Sequence, residues 1–368
     1  MSSCGKRMPK IAYLFGAGAS EGEIKHRGAL KSILMNGIID GIVSKLSKEP
    51  RPKLEDVTNY LTEDANIEQL ITLYESSGTA EHIQTAQTLK TLFREELEER
   101  VVGPGPDYAP GLFAALLDMH SLEGLDEKLI VVLTTNYEDL IEQAMQAVYG
   151  KVNYVIKTVP ADGPYVLSND EVPILKLHGS FNWKNESPVM IQRAISDEQD
   201  IIWIPPGVAK KRESYPFDLI WGKARELLDC DVLRIIGASL SMNDWELISL
   251  LFTTQKLRTD KKSSYIIEII DYPDRCGKIK EQYKYLDIRG IFEIPEVREY
   301  LVKAYLPRHI GLDVAEERLE KIAQEYLQPP ENMFAHWLRA KGEALYYSGV
   351  PIGTPRGYFE QFVLAGLR

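Results

Sequence analysis

One histidine stands where a strand could deliver a catalytic base. The largely apolar run Val172–Leu177 ends in His178 and then Gly179. Such a run predicts a buried strand that carries a titratable imidazole to the rim of a sheet. Of the six histidines in the chain, only His178 ends a run of this kind. A single histidine at such a place is more commonly an inert, hydrogen-bonded core residue, so the other strand ends have to decide its role.

A polar cluster follows a second apolar run. Leu129–Leu133 is continuously apolar and rich in β-branched residues, which is typical of a strand buried on both faces in a parallel sheet. It is followed by Thr-Thr-Asn-Tyr-Glu-Asp over residues 134–139 and then by a predicted helix, Leu140–Val148. Ligands of open α/β sheets bind at the carboxyl ends of strands. Capping of the helix would explain one of these polar residues but not the whole cluster.

Two further strands run into turns that contain glycine. Lys10–Phe15 leads into Gly-Ala-Gly-Ala-Ser at residues 16–20, and Val232–Ile236 leads into Gly-Ala-Ser-Leu-Ser at residues 237–241. A small-residue turn between a strand and a helix can direct backbone N–H groups at a pyrophosphate. The third glycine of G-x-G-x-x-G is missing, and glycine can serve packing alone. By itself this segment leaves both interpretations open.

The order of the elements predicts an α/β fold with a Rossmann-like, doubly wound parallel sheet. Helical patterns fill residues 28–126 after the first strand, and strands then alternate with helices. The later strand candidates are Ile201–Ile204, Tyr265–Ile270, which ends in Asp271, and Arg289–Ile294. Because the carboxyl ends of parallel strands share one edge, the two turns, the polar cluster, His178 and Asp271 are predicted to form one site. Glycine turns, with later Asp or Ser side chains suited to ribose hydroxyls, indicate a dinucleotide ligand.

Two regions are predicted along the 368 residues, in keeping with roughly 150 residues per domain. Residues 1–295 form the nucleotide-binding region, in which residues 28–126 are a helical insertion layer. Residues 296–368 form a helical C-terminal region. Its predicted helices are Leu312–Gln328, Pro330–Ser348 and Tyr358–Leu367.

Composition narrows the classes of function. The net charge of −11 argues against direct binding to nucleic acid or to an anionic membrane. The three cysteines lie far apart in the sequence, so we expect neither a metal site nor a disulfide framework. No run reaches the roughly 18 apolar residues of a membrane span, and the N-terminus has no apolar signal-peptide core. We expect a cytoplasmic protein.

Taken in order, these motifs resemble those of the sirtuin-like NAD-consuming domain, above all its bacterial antiphage-defence branch. The resemblance extends from about Ile11 to Asp271. It rests on Phe-Gly-Ala-Gly-Ala-Ser at 15–20, Thr-Thr-Asn-Tyr at 134–137, Lys-Leu-His-Gly-Ser at 176–180, Pro205-Pro206 and Ile-Gly-Ala-Ser-Leu at 236–240.

The resemblance implies a role for each matching residue. Asn136 orders the nicotinamide ribose and the attacking water, and His178 is the general base; these two are the implied catalytic residues. NAD is the implied ligand and substrate. The residues implied to bind it are Gly16, Ala17, Gly18 and Ser20 at the pyrophosphate, Gly237, Ser239 and Asp271 at the adenosine end, and Thr135 and Asp139 in the polar cluster.

Two departures from the family pattern separate the possible activities. Family members usually carry Asp where this chain has Glu138, although Asp139 follows directly. Deacylating sirtuins carry a four-cysteine zinc ribbon, and this chain has only three cysteines. The second departure counts against protein deacylation more than against NAD cleavage.

The resemblance therefore favours an NAD⁺ glycohydrolase that yields nicotinamide and ADP-ribose, as the NAD-depleting effector of a prokaryotic antiviral system. The alternatives are an NAD-dependent protein deacylase and a non-catalytic sensor of NAD or ADP-ribose. Since unchecked NAD loss would kill the cell, we expect control by homo-oligomerisation or by a partner such as a HerA-type ATPase.

Overall fold

The structure is a computed structural model of the chain. The residues that it describes are 7–48, 55–62, 66–101, 111–161, 166–192, 195, 200–206, 213–261, 263, 265–290, 332–347 and 349–367.

A helical insertion follows the first strand, as predicted, and strands and helices alternate from residue 217 to residue 290. The strands are β1 (Lys10–Phe15), β2 (Lys128–Thr134), β3 (Asn153–Tyr154), β4 (Thr158–Pro160), β5 (Pro173–Lys176), β6 (Gly179–Lys184), β7 (Val189–Ile191), β8 (Ile201–Trp203), β9 (Val232–Ile236), β10 (Ile266–Ile270) and β11 (Ile288–Gly290). The helices are α1 (Ala17–His26), α2 (Met35–Lys48), α3 (Glu55–Thr62), α4 (Ile67–Ser76), α5 (Ala80–Val101), α6 (Leu112–Met119), α7 (Leu140–Tyr149), α8 (Phe217–Leu227), α9 (Trp245–Asp260), α10 (Pro273–Gln282), α11 (Met333–Tyr347) and α12 (Tyr358–Leu367).

A seven-stranded parallel sheet forms the centre of the molecule. Its strand order is β11-β10-β9-β1-β2-β5-β3. The chain proceeds outward from β1 through β2 to β5 and later returns to the other side of β1 with β9, β10 and β11. This reversal beside β1 is a topological switch point, where open α/β sheets bind their ligands. The predicted Rossmann-like, doubly wound α/β fold is confirmed.

The sheet is built from apolar strands because both of its faces are covered. In β1, the residues from Ile11 to Phe15 are all buried. Leu14 lies opposite Leu133 of β2 on one side and Ile235 of β9 on the other. This arrangement explains the nearly continuous apolar runs of the central strands.

A second, four-stranded sheet was not foreseen from the sequence. Its order is β4-β7-β6-β8, and β6 pairs antiparallel with both β7 and β8. The strand predicted at Ile201–Ile204 is therefore β8 of this sheet and is not part of the parallel sheet. Gly179, at φ +77°, turns the chain out of the parallel sheet immediately after His178. A return without a helical crossover then gives antiparallel pairing.

The helical insertion at residues 28–126 contains α2 to α6. Helix α4 begins at the predicted cap, where the Asn66 side chain accepts hydrogen bonds from the N–H groups of Glu68 and Gln69. Helices α2 and α4 both pack on α5. No helix among the residues described above is long and apolar enough to cross a membrane.

The C-terminal helices α11 and α12 confirm two of the three helices predicted there. The third, Leu312–Gln328, lies outside the described residues, as does most of the strand predicted at Arg289–Ile294, of which β11 holds the start. The division into regions 1–295 and 296–368 stays a prediction. Both α11 and α12 pack on α6 and contribute to the same apolar core as the sheet.

Buried charges join α11 to the sheet. The guanidinium of Arg234 in β9 donates to both carboxylate oxygens of Glu127, at 2.6 and 2.8 Å, and to Glu268 at 2.8 Å. Lys341 of α11 donates to Glu127 at 2.6 Å. Burial of charge is tolerated when each charge is paired in this way, and removal of one partner is then costly.

The turns after β1 and β9 touch backbone to backbone. The N–H of Gly16 donates to the carbonyl of Ile236 at 3.0 Å, and the N–H of Gly18 donates to the carbonyl of Gly237 at 2.8 Å. A Cβ on Gly237 would lie 2.1 Å from the backbone nitrogen of Ala19. Gly237 also has φ +62°, which side chains other than glycine rarely adopt. Contact this close is possible only because these positions lack side chains.

Gly237→Ala is therefore expected to lower the free energy of unfolding by roughly 2 kcal/mol or more, because backbone strain and a clash with a neighbouring backbone add together. The matched control is Gly222→Ala in α8, where an added Cβ meets nothing within 4 Å. That change is expected to be neutral or stabilising by up to about 1 kcal/mol. Urea unfolding followed by circular dichroism measures both, and equal stability of the two variants would contradict the packing argument.

Candidate active site

The pairing of β2 with β5 brings Asn136 and His178 to the same edge of the sheet. Thr134 lies opposite Lys176 in the register of these parallel strands. Asn136 and His178 each come two residues later, and the N–H of Leu177 still donates to the carbonyl of Thr134 at 2.9 Å. Adjacent strands lie about 4.8 Å apart. The two predicted catalytic residues are thus at equivalent positions, each two residues past the end of one of two neighbouring strands.

The side chain of Asn136 is held by the turn after β1. Its amide nitrogen donates to the carbonyl of Gly16 at 3.0 Å and to the hydroxyl of Ser20 at 2.8 Å. Its backbone N–H donates to the hydroxyl of Thr134 at 3.0 Å. Both amide hydrogens are then in use, and the side-chain carbonyl is the group left to accept a hydrogen bond. Asn136 therefore fixes the β1 turn rather than capping α7.

Glu138 extends this network, and its carboxyl group has a raised pKa. The hydroxyl of Ser20 donates to its Oε1, and its Oε2 has no hydrogen-bond partner among the described residues. Burial raises the pKa of Glu138 from 4.5 to about 7, because the ionised form is poorly solvated there; the nearby charge of Lys176 opposes the shift. A carboxyl group that can gain or lose a proton near pH 7 therefore adjoins Asn136 through Ser20.

Lys176 is bonded to this network through the backbone of Glu138. Its ammonium group is completely buried, donates to the carbonyl of Glu138 and lies 2.8 Å from Oε1 of Glu142. The hydroxyl of Tyr154 donates to the same carboxylate oxygen at 3.2 Å. Burial raises the pKa of Glu142, and the charge of Lys176 counteracts that shift. Lys176 thus fixes the backbone of Glu138 at the end of β2.

His178 is buried and faces an acidic residue from another element. Its Nε2 lies 3.1 Å from Oδ1 of Asp244, which belongs to a 3-10 turn, Met242–Asp244, before α9. The imidazole also lies beside the ring of Tyr137, with 6.2 Å between the ring centres. The ring of Tyr137 stacks on Phe181 of β6 and meets Trp203 of β8 edge-on, and both of these strands belong to the second sheet. An aromatic wall thus flanks His178 on one side, and a carboxylate contacts it on another.

The turn predicted to bind the pyrophosphate makes its hydrogen bonds to other parts of the protein. The N–H groups of Gly16 and Gly18 donate to the turn after β9, and the hydroxyl of Ser20 donates to Glu138. The Cβ positions of both glycines point at Gly237 and Ala238. Packing between turns therefore explains why glycine is needed at 16 and 18, while Ala17 is exposed. Their role in binding a pyrophosphate stays a prediction.

The remaining predicted residues lie at the same edge but make other contacts. The N–H of Thr135 donates to the carbonyl of Phe15 at 3.2 Å, and Asp139 accepts a hydrogen bond from Gln143 at 2.8 Å. Ser239 is exposed. Asp271 is buried, which raises its pKa, and its Oδ1 accepts the N–H of Tyr272 at 2.7 Å. Their predicted contacts with NAD stay predictions.

Sequence reasoning assigned no role to Lys176 or Asp244, and it treated Glu138 only as a departure from a family pattern. Lysine inside an otherwise apolar run was a usable signal, because a buried ammonium group needs an acidic partner. Asp244 gave no such signal, since an acidic residue at the start of a helix is ordinary.

Comparison with solved structures returned Sir2 proteins. One is described as showing the structural basis for the mechanism and regulation of Sir2 enzymes; it is 14% identical, with a TM-score of 0.37 over 77% of this chain and 87% of that chain. Another is a Sir2 homologue in complex with NAD, 15% identical, with a TM-score of 0.33 over 85% and 90% of the two chains. A third is Sir2 with the inhibitor EX-527, 2′-O-acetyl-ADP-ribose and a deacetylated p53 peptide, 13% identical, with a TM-score of 0.35 over 80% and 93%. Likeness at this level concerns the fold at most.

Comparison with family models gives a direct match. Residues 130–291 match the SIR2-like domain, so the match runs from β2 to β11 and includes Asn136, His178 and Asp244. The strand β1 and its glycine turn lie outside it. No curated protein matches the chain. The chain contains a SIR2-like domain, which occupies the part of the sheet that carries Asn136 and His178.

Proposed function

We propose that the protein hydrolyses NAD⁺ to nicotinamide and ADP-ribose. The observation that carries the proposal is the equivalent placement of Asn136 and His178, each two residues past the end of one of two adjacent strands, within the SIR2-like match. The match of residues 130–291 to the SIR2-like domain supports NAD⁺ as the substrate.

Cleavage of the nicotinamide–ribose bond makes modest demands on the protein. The leaving group already carries positive charge, so the enzyme has to stabilise an oxocarbenium-like centre and supply a nucleophile. We assign His178 as the base that accepts a proton from water. The free side-chain carbonyl of Asn136 suits a water molecule or a ribose hydroxyl, both of which are hydrogen-bond donors.

The N–H groups of the β1 turn already donate hydrogen bonds within the protein, so a dinucleotide that uses them has to replace those bonds. If the pyrophosphate is to use the N–H groups of Gly16 and Gly18, it must displace their hydrogen bonds to Ile236 and Gly237. The exposed Ala17 and Ser239 border this contact from its two sides. NAD⁺ binding in this orientation would therefore separate the turns after β1 and β9.

The wider role follows from the resemblance. We propose that the protein is an NAD-depleting effector of antiviral defence in the cytoplasm, controlled by homo-oligomerisation or by a partner such as a HerA-type ATPase. The insertion helices and the C-terminal helices are the surfaces on which we place those contacts. Native mass determination of the purified protein, combined with its nicotinamide release at the same concentrations, tests the link between assembly and activity.

His178→Ala is expected to lower the rate of nicotinamide release by roughly 100-fold or more, since general-base catalysis contributes at least about that factor. Asn136→Ala is expected to cause a comparable loss, because it removes the carbonyl that would bind the water or the ribose hydroxyl. Chromatographic quantification of nicotinamide and ADP-ribose gives the rate, and thermal unfolding reports whether the fold is kept. His82→Ala is the matched control, because His82 is exposed on α5. Unimpaired turnover in either site variant would refute the assignment.

Glu138→Gln is expected to change the pH dependence of stability. A carboxyl group whose pKa is raised from 4.5 to about 7 on folding favours the folded state fully below pH 4.5 and loses that contribution as the pH rises through about 7. The neutral glutamine escapes this loss, so the variant should gain roughly 1–3 kcal/mol relative to wild type between pH 5 and pH 8. Urea unfolding at both values measures the gain.

The exposed Glu123→Gln serves as the control, and it should follow wild type at both pH values. A difference between Glu138→Gln and wild type that does not vary with pH would show that Glu138 is ionised in the folded protein throughout this range.

A further inference from the structure

We propose that Asp244 is a positioning residue for His178: it holds the imidazole at the edge of the sheet and stabilises the imidazolium formed when His178 accepts a proton. This inference rests on the proposed NAD⁺ hydrolysis. It adds to the site a residue that neither the sequence motifs nor the family match singled out.

The contact joins two largely buried groups. Nε2 of His178 and Oδ1 of Asp244 are 3.1 Å apart, and the side chains are 4% and 15% exposed. At this distance the two groups form an ion pair when His178 is protonated. Because water is largely excluded, the attraction between a carboxylate and an imidazolium is stronger there than at the surface.

Helix capping does not explain Asp244. The residue stands at the N-cap position of α9, where an aspartate side chain usually accepts a hydrogen bond from the first turn. Its side chain makes no capping hydrogen bond. The hydroxyl of Ser241 instead accepts the N–H of Asn243 at the start of the preceding 3-10 turn, at 3.2 Å, which leaves the carboxylate of Asp244 for other contacts. It is directed at His178.

The backbone around Asp244 is fixed from several sides. The N–H of Asp244 donates to the carbonyl of Ser241 at 2.9 Å. The hydroxyl of Tyr283 donates to the carbonyl of Leu240 at 2.6 Å, and the amide of Asn243 donates to Glu68 of α4 at 2.6 Å. The carboxylate is thus carried by a turn tied both to the residue that ends α10 and to the helical insertion, as a positioning role requires.

In the proposed hydrolysis, the pair accepts one proton from water and passes it to solvent. An O–H bond of water breaks as its proton moves to His178, and the oxygen forms a bond to C1′ of the ribose. The C1′–N bond breaks, and its electron pair neutralises the nicotinamide nitrogen. The imidazolium, stabilised by Asp244, then releases the proton to solvent. Asp244 touches none of the reacting atoms.

Among the described residues, further titratable groups lie on both sides of the pair. Tyr137 faces the imidazole, and its hydroxyl donates to the carbonyl of Ile204 at 2.9 Å. On the side of Asp244 lie Tyr283, which donates to Leu240, and Glu68, which is bonded to Asn243. Asp244 is the carboxylate in contact with the ring, so its removal should dominate any change in proton affinity.

Asp244→Asn tests the proposal, because it removes the charge and keeps the shape. We expect kcat to fall roughly tenfold or more, KM for NAD⁺ to change less than about twofold, and the acidic limb of the pH–rate profile to move to lower pH. The direction follows because an imidazolium without its carboxylate loses its proton more readily. Asp244→Glu should restore part of the rate.

The matched control is Glu246→Gln, which removes one negative charge from an exposed position two residues further along α9. A second readout is the titration of the His178 ring by NMR, with its signal identified by loss in His178→Gln. The midpoint should move to lower pH in Asp244→Asn and stay unchanged in Glu246→Gln.

The two readouts separate the two proposals. If the wild-type protein releases no nicotinamide, the proposed function fails, and the ring titration still judges the pair. If Asp244→Asn matches Glu246→Gln in rate, in pH profile and in ring titration, Asp244 has no positioning role. A loss of rate with an unmoved acidic limb and an unmoved ring titration would overturn the proposal as well, since that outcome is purely structural.

Discussion

The parallel pairing of β1 with β2 and β9, and of β2 with β5, is the constraint on which the candidate site depends. Strands that run in one direction end at one edge, and residues at equal distances past a register pair emerge side by side. Asn136 and His178 meet this condition through the pairing of Thr134 with Lys176. A shift of one residue would turn one of the two side chains to the other face of the sheet.

Two buried groups of charges hold this framework in place. Lys176 and Glu142 lie beneath the site and fix the backbone of Glu138, while Arg234, Glu127 and Lys341 join the last part of the chain to the sheet. Such clusters contribute less to net stability than to the choice of one arrangement, because each charge tolerates burial only beside its partner. The C-terminal helix α11 is therefore bound to the central sheet by charge as well as by apolar contact.

The site is closed upon itself in this conformation. The β1 turn is engaged with β9, Asn136 with the β1 turn, and His178 with Asp244. Each of these contacts is made by polar groups that a dinucleotide and a water molecule could also use. If NAD⁺ binds as proposed, it competes with this internal packing, and the energy of these contacts sets part of the cost of opening the site.

Much of this protein was determined by the sequence alone. Apolar runs such as Leu129–Leu133 specified buried parallel strands, helical spacing specified the insertion, and Asn66 specified the start of α4, because these signals depend on local conformation and on burial of one face. The shared edge of the strand ends followed from topology. The second sheet did not, because its strands are short and its pairing begins at a single glycine, Gly179. Only the tertiary structure decided three further features. They are the raised pKa of Glu138, the hydrogen bonds from Gly16 and Gly18 to the end of β9 and the turn after it, and the contact of Asp244 with His178. Each of them depends on burial or on contact between segments that are far apart in the chain. The spacing of residues along the sequence predicts neither.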